Sequence, residues 1–162
     1  MTLSKFDPKR IEISLKDLKI VMTGNVPSWI WELDSWLLRA TETDGGQEVV
    51  ILRELQEILF ASPNYVQSLL NPDFDVDRYA QFLAINATDS AVRYLALPKL
   101  NYMVSVGPEK CSASIGVGDP GEEPTAHAKT EALAFAAAIG FVARRMYSYF
   151  QVAHVQVESR RH

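Results

Sequence analysis

Cysteine occurs once in this chain of 162 residues, at Cys111. An intramolecular disulfide is thereby excluded, and so is a cysteine-built zinc site. Such usage fits a reducing compartment. An excess of basic residues is missing too: the formal net charge is -4. That disfavours a general nucleic-acid coat, which needs a strongly basic surface. The acidity is also too slight for a mimic of DNA, and it serves solubility. No long apolar run exists. The stretch Trp29 to Leu38 is broken by Glu32 and Asp34 and is too short and too charged to cross a bilayer. The first ten residues lack the apolar core of a signal peptide. We therefore expect a cytoplasmic protein with no membrane contact.

What is present is ordinary globular material. Apolar residues make up 48% and charged residues 22%, enough to bury a core without staples. The length suits one domain, or one domain with an appended helical segment. Ile11, Ile13 and Leu15 alternate with polar residues, a period of two that fits a short strand. Pro27 opens a helix in which Trp29, Leu33, Trp36 and Ala40 share one face, with Glu32, Asp34 and Arg39 elsewhere. Over 47–53 a β-rich run competes with helical spacing. The repeat of Leu52, Leu55 and Leu59 favours a helix from Gln47 to Ala61. Asp75 and Thr88 are placed to cap two further helices.

The C-terminal third is the most informative. Asn101 to Val106 and Cys111 to Val117 flank the turn Gly107 to Lys110, which predicts a hairpin. Tyr102, Val104 and Val106 share one face of the first strand, and Cys111, Ala113, Ile115 and Val117 one face of the second. From Thr125 to Phe150 only Gly140 interrupts a helical pattern. Ala128, Ala132, Phe135, Ile139, Val142, Met146 and Phe150 form its apolar stripe. Val152 to Val157 is β-rich around His154 and reads as a third strand or a disordered extension. The expected fold is α+β, with a helical N-terminal half over 1–80. A sandwich-like α-β-β-α unit follows over 81–162, in which the hairpin packs against the long helix. The two parts either stand side by side or form one continuous domain.

Two pieces carry a resemblance. Thr88, Asp89 and Ala91 within Asn86 to Leu95 look like a Thr-Asp-x-Ala helix start. The strand pair and the Ala/Leu-rich run Ala126 to Ala138 are similar to the closing helix of the same domain. Over Phe82 to Met146 the chain resembles the phage ABA sandwich domain family. A Thr-Pro pair often opens the last helix of that family; here Lys129, Thr130 and Glu131 stand there. The resemblance implies a phage or prophage accessory protein, and it brings no catalytic residues with it.

Five groups of residues suggest chemistry or contact. Glu123, His127 and Glu131 are spaced i, i+4, i+8, so on a helix they would present a divalent-metal set. Cys111 and His127 pair a nucleophile type with a base type. The glycine-rich run Gly116 to Gly121 lies between strand and helix, where phosphate loops occur, but it matches neither common pattern. Arg144 and Arg145, with Arg160 and Arg161, form basic pairs that phosphates attract. Trp31 points away from the Trp29 and Trp36 face, beside Ile30 and Leu37, a composition suited to partner contact. No catalytic residue and no cofactor is assigned. We expect a protein that binds and modulates a host protein, a defence factor among the candidates, and that forms a homodimer. A metal-dependent hydrolase or nuclease and a nucleic-acid-binding regulator are the alternatives.

Overall fold

A computed structural model of the chain describes residues 26–116 and 124–159, with side chains as far as Gln151. The strand expected at Ile11 to Leu15, the glycine-rich run beyond Gly116, Glu123, Arg160 and Arg161 lie outside the described residues. Helix α1 (Ser28–Glu42) follows Pro27, whose extended backbone cannot continue a helix backwards. A 3-10 turn (Gly45–Gln47) leads into α2 (Glu48–Phe60), so the helical alternative holds over 48–53. Short helix α3 (Asn64–Gln67), α4 (Val76–Ala84) and α5 (Thr88–Leu95) complete the helical half.

Of the two caps expected from the sequence, one forms. Asp75 accepts the Arg78 N–H at 2.8 Å and starts α4. That helix stops at Asn86, whose φ of 57° is tolerated by an asparagine. There the Ala87 N–H reaches the Phe82 carbonyl at 2.8 Å and the Asn86 N–H reaches Leu83 at 3.1 Å, closing a Schellman motif. Thr88, by contrast, is inside α5, and Ala87 precedes it without any side-chain cap. Asn71 lies in the loop before α4. Its carboxamide accepts the Asp73 N–H and donates to the Tyr94 carbonyl, turning the chain back onto α5.

The sheet has three antiparallel strands in the order β1-β2-β3. β1 (Asn101–Val106) and β2 (Cys111–Gly116) form the expected hairpin, with Tyr102 opposite Ile115 and Val106 opposite Cys111. β3 (Thr125–Ala128) pairs with the far side of β2, Cys111 opposite Ala128 and Ser114 opposite Thr125. These four residues are a strand and not the first turn of a helix. Alanine is a strong helix former, but helix propensity is small per residue and yields to tertiary context, and here the ladder to β2 satisfies the backbone instead.

Helix α6 (Glu131–Ser159) therefore starts later than the sequence pattern implies and runs further, with His154 inside it. Extending an existing helix costs far less than starting a new element, so Val152 to Val157 continue it despite their β-rich composition. From Ala132 to Ala143 every residue of α6 is buried. The expected stripe accounts for one side: Ala132, Phe135, Ile139 and Val142 are buried, Met146 partly so, and Phe150 is exposed. Another side packs on α1. A Cβ built on Gly140 would stand 2.9 Å from Leu37 and 3.2 Å from the Trp36 ring, so glycine lets the two helices approach. The result is an α+β molecule in which α6 lies between the sheet and the helical half. One hydrophobic cluster runs from Trp29 to Tyr147. No described helix is long and apolar enough to cross a membrane.

Candidate functional site

α1 is clamped from two directions. Trp36 donates its indole N–H to the Ile51 carbonyl of α2 at 2.7 Å, and its far side meets α6 at Gly140. Two-sided packing buries Ile30 and Leu37 as fully as Trp29, Leu33 and Trp36. Ile30 and Leu37 are thus core residues and not part of a contact surface. Trp31 is different, with 44% of its surface exposed. It forms one wall of a groove of about 360 Å³ between α1 and α2, with Glu32, Ser35, Arg39, Glu54, Glu57 and Ile58. Arg39 is engaged by Glu54 at 2.6 Å. Glu32 and Glu57 leave the groove net acidic, beside an accessible indole face.

Of the residues expected to bind metal, His127 and Glu131 are described, and they do not share a helix. His127 sits on β3, opposite Ser112, and Glu131 is the first residue of α6. No helix carries the two at i and i+4. Glu131 accepts Arg93 at 3.1 Å instead. Among the described residues no group of three His, Cys, Asp or Glu side chains gathers to hold an ion. Cys111 and His127 belong to adjacent strands but to opposite faces. Cys111 is buried, in register with Ala128, while His127 is one residue earlier and exposed. Strand alternation separates the thiol from the imidazole. Lys129, adjacent to that histidine, extends to Asp44 at 2.8 Å. A second depression, of about 420 Å³, opens beside His127, Lys110 and Phe141, where the Thr41 hydroxyl is engaged by the Leu38 carbonyl at 2.9 Å.

Arg144 stands in the middle of α6, away from a helix end, with 18% of its side chain exposed. Its guanidinium Nε donates to both carboxylate oxygens of Asp34 at 3.1 and 3.2 Å, and its terminal nitrogen donates to Ser148 Oγ at 2.8 Å. It also lies 5.6 Å from the Tyr147 ring, which meets Trp29 edge-on at the same 5.6 Å. Burial pushes the Asp34 carboxyl above its ordinary value, and Arg144 only partly opposes that. Asp34, expected on the polar side of α1, is thus a buried ion-pair partner. The separation of 110 positions hides this pair from any local pattern.

A second cluster was not legible as a unit. Phe74 lies 5.0 Å from Phe60, 5.3 Å from Tyr79 and 5.5 Å from Tyr94. Arg78 caps it, 5.3 Å above the Tyr94 ring. The Tyr94 hydroxyl accepts the Asp75 N–H at 2.8 Å. Tyr79 donates to the Leu52 carbonyl at 2.7 Å, and burial raises its phenol far above the ordinary range. These groups fasten α4 and α5 to α2, which is a structural task. Comparison with protein-family models, with curated proteins and with solved structures finds no match to this chain.

Proposed function

We propose that this protein acts by holding another protein, and that the holding surface is the Trp31 groove between α1 and α2. The observation that carries the reading is the exposed indole beside net acidic walls: Trp31 is 44% exposed in a helix whose other two tryptophans are buried. An accessible tryptophan is the side chain most often found at the centre of a binding hot spot. Its π face attracts a cation, and nearby carboxylates strengthen that attraction. The chemistry that fits is a partner segment presenting lysine or arginine. A host protein of a phage or prophage, a defence factor among the candidates, is the partner that the family resemblance suggests, and modulation of that protein is part of the proposal.

Purified protein should be titrated with short arginine- and lysine-bearing peptides and with acidic and neutral controls. Cationic peptides are expected to bind and to weaken with salt, because exposed charges are screened. Trp31→Ala should reduce affinity by about 30-fold, as expected when a hot-spot side chain is truncated. It should leave the melting temperature in place, since surface changes seldom move stability by more than about 0.5 kcal/mol. Glu57→Lys should abolish the preference for cations. Equal binding of acidic and basic peptides, or affinity untouched by both variants, rules the groove out. Capture from a bacterial lysate, followed by reconstitution with the purified candidate, then tests the host assignment separately.

A further inference from the structure

β1 is an edge of the sheet among the described residues. Every residue from Asn101 to Val106 is exposed except Val104, which is half-buried. The direction of its free backbone groups can be derived. Gly107 donates its N–H to the Lys110 carbonyl at 3.1 Å, so these two form a hydrogen-bonded pair. Bonded and non-bonded pairs alternate along an antiparallel ladder. Following the register from Val106 opposite Cys111 to Asn101 opposite Gly116, Ser105, Met103 and Asn101 turn their backbone groups toward β2. Val106, Val104 and Tyr102 turn theirs outward, away from the sheet.

This edge lacks the usual protections. Asn101 to Val106 contains no lysine, no proline and no charge, and its register with β2 runs without a bulge. Natural edges normally carry at least one such device. Neutrality matters for a particular occupant, because a second copy always brings the same charges and a charged strand would repel itself. We propose that β1 pairs antiparallel with β1 of a second copy about a twofold axis at Val104, joining two three-stranded sheets into one.

The parity selects this register. Outward-facing residues must oppose outward-facing residues to exchange hydrogen bonds. With the axis at Val104, that residue meets its own copy while Tyr102 meets Val106. Shifting the axis to Met103 or Ser105 leaves one of the three without a strand partner. Tyr102 and Val106, 43% and 68% exposed and on one face, then cover each other. Met103, 68% exposed, faces Ser105 on the other side. The same register brings Lys99 of one chain toward Glu109 of the other, twice by symmetry. Strand addition of this kind takes its affinity from the main chain and its register from the side chains.

Sedimentation velocity across a wide concentration range should show a monomer–dimer equilibrium. Val104→Pro removes an N–H that β2 does not use, so the hairpin persists while the dimer dissociates. Circular dichroism and thermal melting report whether that variant is folded. Lys99→Glu should weaken the dimer roughly tenfold, the order expected for reversing two exposed ion pairs, and Glu109→Lys in the same chain should restore it. Amide exchange gives a readout independent of variants. Tyr102, Val104 and Val106 amides should be protected in the dimer and exposed on dilution, with Met103 and Ser105 protected throughout. A monomer at every concentration, a dimer indifferent to a folded Val104→Pro chain, or free exchange at those three amides in the dimer each overturns the proposal. If Val104→Pro does not fold, the charge swap and the exchange pattern decide.

Discussion

On the face of α6 that includes Phe135, the helix supplies the bulk. Phe135, Ile139, Val142 and Met146 lie along one side, and the strands answer mainly with small residues: Cys111, Ala113, Ala126 and Ala128, besides Ile115. On the face turned to α1 the arrangement is reversed. Leu133, Ala137, Gly140, Arg144 and Tyr147 follow each other at helical spacing, and α1 brings Trp29, Leu33, Trp36 and Leu37 to them. Large against small on one side and small against large on the other are two ways of filling the space between layers, as close packing of an interior requires. The difference lies in what each side tolerates. A face that supplies bulk fails by leaving a cavity; a face that supplies room fails by overpacking or by stranding its one charge.

Phe135→Ala gives the largest effect and tests the first side. The ring is 2% exposed and lies 4.5 Å from that of Tyr102. Truncation should cost roughly 3–5 kcal/mol, as for buried phenylalanines elsewhere. For a chain of this length that corresponds to a fall of about 6–20 °C in melting temperature. A melting curve that does not move would show that the sheet does not depend on this side of the helix.

The two faces were not equally legible in the sequence. Large apolar residues at spacings of three and four announce the sheet-facing side, because bulk in a periodic pattern contrasts with its surroundings. The α1-facing side has alanine and glycine at its centre, Ala137 and Gly140, which look alike whether buried or exposed. For the same reason β3 was hidden: Thr125-Ala-His-Ala merges with the alanine run that follows. The polar position of Trp31 followed from spacing, but the burial of Ile30 and Leu37 did not. It depends on α2 and α6 arriving from different directions, as does the pairing of Asp34 with Arg144. Contacts between distant segments leave no local period to read. The hairpin was legible because its register is local, set by the tight turn at Gly107.

The ion pair gives the next prediction. Arg144→Ala strands Asp34, whose side chain is only 10% exposed. Breaking a buried pair usually costs 3–5 kcal/mol, and about 2–4 is expected here because Asp34 can take up a proton. The pH dependence follows with its sign. The folded state holds the Asp34 proton more tightly than the unfolded chain, since its carboxyl is raised above the ordinary 3.8. Between that value and the raised one, stability falls as pH rises, and above both it is level. Arg144→Ala raises the carboxyl further. Its penalty should therefore be greatest near neutrality and shrink on acidification. Asp34→Asn should remove this residue's part of the pH dependence. Urea unfolding of the unmodified protein and these two variants from pH 4 to 7 reads it directly, and a penalty for Arg144→Ala that grows toward acid would contradict the assignment.

Gly140→Ala gives the smallest effect and sharpens the comparison most. On an exposed helix the change would stabilise by about 1 kcal/mol through helix propensity. Here the new methyl meets Leu37 at 2.9 Å and Trp36 at 3.2 Å, and overpacking costs about 1–3 kcal/mol. The net expectation is a loss of about 1 kcal/mol, the two effects opposing each other. A second change separates them. Leu37→Ala alone should destabilise by about 2–5 kcal/mol through the cavity it leaves. Combined with Gly140→Ala it should cost less than the sum, because the added methyl then fills space instead of colliding. A coupling of about 0.5–3 kcal/mol is the range for residues in contact. Additive losses would place Gly140 away from α1 and leave the α1-facing side without its reason for being small.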